Sequence, residues 1–243
     1  MIPLIVGAFG LLAGLASHDL AVDGLTDDRK LRPLAGSCPR CGHARGWLSL
    51  RCPNCDRSIR REPLIALVST GVAVGFYNTL GPSPVLIAYL GFLLLTMALV
   101  VTDLDEFRIV DRLNLRGSAI LGVALALAAL LAGDLDALLR GLLGAAAYFG
   151  GATLLWLLAR GRGFGAGDVK LAPILGLYTA YISWGVLGQA VFATALIGGL
   201  IAIILIIFGR AGWKSELPYG PPMVLGAWLA ILLAGIGSST LPS

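Results

Sequence analysis

Long apolar runs separated by short polar segments set the pattern of this chain. The runs fall at 1 to 17, 63 to 80, 84 to 102, 117 to 133, 137 to 159, 169 to 183, 185 to 209 and 222 to 238, each closed by charges, Gly or Pro. Stretches of this length match the hydrocarbon layer of a bilayer, about 30 Å, when wound at about 1.5 Å per residue. Eight spanning helices are expected, the first and sixth being short for the task. Small residues let such helices approach closely, so Gly144, Gly150 and Gly151, and Gly198 and Gly199, are expected on packing surfaces.

Composition agrees: 57% of the 243 residues are apolar and 13% charged, with a mean hydropathy of +0.86. A water-soluble domain carries about 25% charged residues, so that class is excluded. The placement of Lys and Arg then orients the chain, because basic residues beside a span stay on the cytoplasmic side. Nine lie in the loop 18 to 62, and Arg108, Arg112, Arg116, Arg160, Arg162, Lys170, Arg210 and Lys214 fall at alternate later turns. Seventeen of the eighteen therefore share one side of an eight-span arrangement, Arg140 being the exception, and both termini lie on the other side. The net charge of +4 is accounted for by this topology and points to no nucleic acid. Residues 1 to 17 lack the basic start of a cleaved signal peptide and are read as a retained span.

The large polar loop holds all four cysteines, Cys38-Pro39-Arg40-Cys41 and Cys52-Pro53-Asn54-Cys55, ten residues apart. Two residues between paired cysteines let both sulfurs turn to one centre, which suits a tetrahedral structural zinc with no open position. Two disulfides or four idle thiols are the alternatives, the first disfavoured by a reducing cytoplasm. The expected organisation is a first transmembrane helix at 1–17, a cytoplasmic loop with a four-cysteine zinc-binding module at 18–62, and a seven-helix membrane domain at 63–243. The fold class is thus an all-α polytopic membrane protein with a small zinc-ribbon-like module.

Ionisable groups at the edge of an apolar bundle are costly and are candidates for function. Asp103 ends the third span and Asp168 opens the sixth, inside Gly163-Phe164-Gly165-Ala166-Gly167-Asp168-Val169-Lys170-Leu171. Span parity puts both at the cytoplasmic face. Two neighbouring carboxylates in a partly desolvated site share a proton: one activates water while the other, protonated, hydrogen-bonds the carbonyl under attack. Asp168, at a helix N-terminus, is the better choice for the more acidic member. Gly165 and Gly167 are expected to shape the site together with Lys170, which taken alone reads as an interfacial anchor. Read separately, Asp168 is an ordinary helix cap and Asp103 a boundary residue. Asp105, Glu106 and Asp111 are expected in solvent or beside Arg108 and Arg112.

These residues resemble one family, the bacterial type IV prepilin peptidases, membrane aspartic proteases of the Gly-x-Gly-Asp type. The likeness rests on Asp103-Leu104-Asp105 with Asp111-Arg112-Leu113, on Gly165 to Leu171, on the paired Cys motifs and on Leu217-Pro218-Tyr219-Gly220-Pro221, in order along nearly the whole chain. Val110 stands where the family usually has Pro. The resemblance implies that Asp103 and Asp168 are the catalytic pair. It also implies that the substrate is a prepilin or pseudopilin in the inner membrane, cut at the end of its basic leader. Many members then methylate the new N-terminus with S-adenosylmethionine. The competing expectation is a non-catalytic zinc-ribbon scaffold of a pilus or secretion assembly.

Overall fold

The structure, a computed structural model, describes residues 2–25, 36–37, 44–45, 62–106, 111–158, 165–208 and 219–238. These form eight helices: α1 Ile2–Leu25, α2 Glu62–Leu80, α3 Pro84–Glu106, α4 Asp111–Ala132, α5 Leu135–Leu158, α6 Ala166–Ile182, α7 Trp184–Ile207 and α8 Gly220–Ser238. A two-residue antiparallel pair, β1 Gly36–Ser37 with β2 Ala44–Arg45, completes the described elements. Each expected span falls on one helix. Five, within α2, α3, α4, α5 and α7, are long and apolar enough to cross a membrane, and Ile2–Ser17 and Gly220–Ile236 are shorter apolar stretches of α1 and α8.

The helices outrun the apolar runs where polar turns extend them. α4 starts at Asp111 rather than 117, and Asp111, Arg112 and Arg116 stand exposed in its opening turns. Hydropathy marks the bilayer layer, whereas a helix continues past it wherever its polar turns can face water; Asp111 also suits the positive end of the helix dipole. Tight turns join α2 to α3 and α4 to α5, with Gly81 (φ 64°) and Gly133 (φ 73°) in the left-handed region that glycine tolerates.

α6 is the shortest of the eight and the centre of the second half. Eleven of its seventeen residues are buried, which explains how a helix too short for a lipid-facing span is housed: α4, α5, α7 and α8 wall it in. Its closest partner is α5, where a methyl on Gly144 would meet Ala180 Cβ and one on Gly176 would meet the Gly144 carbonyl oxygen at 2.5 Å. Gly198 likewise packs against the ring of Tyr219. Gly150, Gly151 and Gly199 meet nothing within 4 Å of where a Cβ would stand, so the expectation of packing there is corrected: those glycines face open space.

A buried aromatic group ties α3, α4 and α6 together. Tyr178 stacks on Phe92 at 4.4 Å and donates to the Leu121 carbonyl at 3.0 Å, while the Tyr89 hydroxyl donates to the Tyr178 carbonyl. At the opposite end of α6 from Asp168, Arg140 of α5 donates to the carbonyls of Ala180 at 2.8 Å, Tyr181 at 2.5 Å and Ile182 at 3.1 Å. The one basic residue that broke the charge alternation is therefore a cap on the last turn of α6.

Candidate active site

The site is built where three helix ends converge. Asp103 lies in the last turns of α3 and Asp168 is the third residue of α6; each is 5% exposed. The structure brings them together, close enough for the charge of Asp103 to act on Asp168. Burial strips both carboxyl groups of most of their water, so neither is held as a freely solvated anion.

Asp168 is positioned by its own backbone. Its carboxylate Oδ2 accepts from the N–H of Gly165 at 3.0 Å, while its own N–H donates to the Gly165 carbonyl at 3.1 Å. Gly165 has extended backbone (φ −79°, ψ 149°) that any residue adopts, so its role is room: a Cβ there would lie 3.1 Å from Asp168 Oδ2. Gly167, half-buried, completes this first turn.

Asp103 is faced by the start of α8. Pro221 and Pro222 carry no N–H, and that of Met223 is taken by the Tyr219 carbonyl at 3.2 Å. This leaves the Gly220 N–H, which is directed at the Asp103 carboxyl group. The other oxygen of that carboxyl, Oδ2, is buried and has no hydrogen-bond partner among the described residues. A buried acceptor in that state is a place for a proton, a water or a substrate group.

Lys170 does not turn toward the carboxylates. Its Nζ reaches Asp111 Oδ2 at 2.6 Å and joins the first turn of α6 to the first turn of α4. Asp111 stands exposed, as expected of a residue in solvent, and the packing of α4 on α6 adds an ion pair with Lys170 that was not expected. Arg108 and the side chains of Asp105 and Glu106 lie outside the described residues. So do Cys38, Cys41, Cys52 and Cys55; among the described residues no group of three or more His, Cys, Asp or Glu stands ready for a metal.

Comparison with known proteins decides the family. Residues 88–207 match the type IV leader peptidase family. A prepilin leader peptidase/N-methyltransferase of Burkholderia pseudomallei is 32% identical over 85% of this chain and 69% of its own length. The chain belongs to the type IV leader peptidase family. Proteins of the same description from Aeromonas salmonicida (30% identical, 80% of this chain, 70% of the relative) and Pseudomonas aeruginosa (30%, 81% and 70%) are similar throughout comparable stretches. No solved structure matches. The leader peptidase match begins in α3 and ends with α7, so it contains both aspartates and the Gly165-to-Asp168 turn, while Tyr219 and Gly220 lie beyond it.

Two neighbours of the leader peptidase carboxylates gave little signal in the sequence. Tyr219 was legible only as part of a Pro- and Gly-containing motif, and Tyr148, in mid α5, had no signal at all. Both lie near enough to feel the charge of Asp168.

Proposed function

We propose that this leader peptidase family member is a membrane-embedded aspartic endopeptidase that removes the leader of a prepilin or pseudopilin, with Asp103 and Asp168 as its catalytic pair. The observation that carries the reading is the meeting of these two buried carboxyl groups at one end of the bundle, each supported by a single backbone N–H. Two such groups share one proton, because ionising both in a dry site is too costly. Asp168, at the positive end of α6 and accepting from Gly165, is the member that keeps its negative charge and takes a proton from the attacking water. Asp103, with one oxygen unpartnered, carries the shared proton and donates it in a hydrogen bond to the scissile carbonyl, stabilising the oxyanion as it forms. The proton taken up by Asp168 then passes to the leaving amine, and the shared proton is restored when the peptide departs.

The membrane location suits that substrate: its scissile bond lies where a basic leader meets an apolar helix. The alternation of Lys and Arg supports a catalytic end at the cytoplasmic face of the inner membrane. We further propose that Cys38, Cys41, Cys52 and Cys55 hold a structural zinc ion in the loop 18 to 62. The donor set fits, being four thiols in two C-x2-C pairs, and β1 and β2 pair in the register Gly36↔Arg45 on either side of the first of them. The ion would staple the loop and leave no position for chemistry. N-methylation of the trimmed chain by S-adenosylmethionine, in line with the methyltransferase in the relatives' names, is the second proposed activity.

The test is cleavage of a synthetic prepilin in lipid by wild type, Asp103→Asn and Asp168→Asn, with intact mass read on the product. Wild type should trim the leader, and each variant should lose about 10²–10⁴-fold in kcat, the usual worth of a general acid or base. A product heavier by one methyl group when S-adenosylmethionine is present establishes the second activity. Variants that are folded and cut like wild type would overturn the dyad and favour the scaffold.

A further inference from the structure

α5 and α7 flank α6 but scarcely touch each other. Between them a cavity of about 290 Å³ opens, lined among others by Tyr148, Gly151 and Leu155 of α5, Thr194 of α7, Tyr219 just before α8 and Met223 within it. Its lips are bilayer-facing, since Leu155 is 59% exposed and Val191 across from it 44%. Its inner corner belongs to the catalytic site: Tyr219 lines the cavity and the next residue, Gly220, turns its N–H to Asp103. Tyr148 and Tyr219 both lie near Asp168, and the Tyr148 hydroxyl sits beside that of Thr194. From that corner the cavity runs toward Leu187 in the first turn of α7, away from the end of the bundle that carries the aspartates.

The chemistry of the lining narrows the occupant. Among the described residues, Tyr148, Thr194 and Tyr219 are the ones that bring side-chain hydroxyls, and none of the described lining side chains is charged. A charged ligand such as the methyl donor would be buried there without partners, which is prohibitively costly. The volume is at the bottom of the range of about 300–1,000 Å³ typical of whole small-molecule ligands. What fits is one or two apolar side chains arriving from the bilayer on a chain whose backbone passes the aspartates.

We infer that this cavity receives the first apolar side chains on the C-terminal side of the scissile bond, as the substrate's helix enters sideways between α5 and α7. The inference rests on the dyad reading above. Successive Cα atoms are about 3.8 Å apart, so the residue after the cut must lie within one step of the aspartates, and this cavity is an apolar space whose Tyr219 wall adjoins Gly220 beside Asp103. The cavity thereby selects the residue at the new N-terminus, and the polar leader is left at the aqueous end.

Gly151 offers a clean test. It lines the cavity, and a Cβ there meets nothing within 4 Å, so a larger side chain fills the space without clash. Gly150 beside it also faces open space but lies outside the lining, which makes it the control. Two membrane-anchored synthetic prepilins would be used, one with Leu and one with Ala immediately after the cut. Gly151→Leu should raise KM for the Leu substrate about tenfold or more, the scale on which apolar pockets discriminate methylene groups, and leave the Ala substrate within about twofold. Gly150→Leu should match wild type on both. Ala195→Leu narrows the cavity from the α7 wall and gives the same pattern should Gly151→Leu fail to fold. Equal effects of Gly151→Leu and Ala195→Leu on the two substrates, or none, would overturn the inference and leave a lipid chain as the occupant. The dyad reading is tested apart from this, because it fails if Asp103→Asn and Asp168→Asn still cut, whatever Gly151→Leu does.

Discussion

The carboxylate of Asp168 turns back onto the backbone N–H of Gly165, three residues earlier, at 3.0 Å. This bond fixes where the carboxylate points, and it exists because Gly165 has no side chain in the way. Gly165→Ala puts a methyl 3.1 Å from Asp168 Oδ2, tight enough to displace the carboxylate by a few tenths of an ångström. The backbone at Gly165 suits any residue, so the fold should persist. Loss of one such hydrogen bond is worth about 1 kcal/mol, and kcat should fall about fivefold with KM little changed. An unchanged kcat in a folded Gly165→Ala enzyme would show that the bond does not position Asp168.

A pair that shares one proton gives a bell-shaped dependence of kcat/KM on pH. As pH falls, the ionised member takes up a second proton and the base is lost. As pH rises, the shared proton leaves and the acid is lost. Maximum activity is expected between these two limbs, in the singly protonated state. A profile with a single alkaline limb and none on the acid side would contradict the dyad.

Much of this arrangement was legible because membrane spans are written in long, redundant signals. Eight apolar runs and the alternation of Arg and Lys each predict the same eight helices, and parity alone carries Asp103 and Asp168 to one end. Helix ends were less legible: the opening turns of α4 are polar, so apolarity gave no sign that the helix already existed at Asp111. The partner of Lys170 was hidden for a related reason, since local sequence offered Arg112 to Asp111, and only the packing of α4 on α6 brings Lys170 within 2.6 Å. The glycines divide the same way. Gly144 and Gly151 look alike in sequence, and only the course of α5 puts one against α6 and the other beside a cavity. Gly220 was legible as part of a motif without a role, because a backbone N–H aimed at Asp103 leaves no trace in residue type.

The Asp111–Lys170 pair ties the first turn of α6, and with it Asp168, to α4. Both side chains are well exposed, 55% and 40%, so the pair is screened and contributes about 0.2–1 kcal/mol at most to stability. Lys170→Met should therefore leave the melting temperature nearly unaltered. Its effect is expected in catalysis, as a kcat lowered a few-fold. The double exchange Asp111→Lys with Lys170→Asp should recover part of that loss. Equal losses in the exchange and the single variant would assign Lys170 a role unrelated to Asp111.

Arg140 makes the opposite prediction, a stability effect without a catalytic one. Its guanidinium holds three carbonyls of the last turn of α6, groups for which the helix itself supplies no donors. Hydrogen bonds from a charged donor are worth about 1.5–3 kcal/mol each and do not add fully, so Arg140→Ala should cost about 2–4 kcal/mol, read as a lowered melting temperature in detergent. Arg140→Lys should fall between, since one ammonium cannot follow the planar fork across three acceptors. Those carbonyls lie about 20 Å along α6 from Asp168, at about 1.5 Å per residue, so the kcat of the folded fraction should stay at the wild-type value. A drop in kcat at unchanged melting temperature would mean instead that the far end of α6 is coupled to the aspartates.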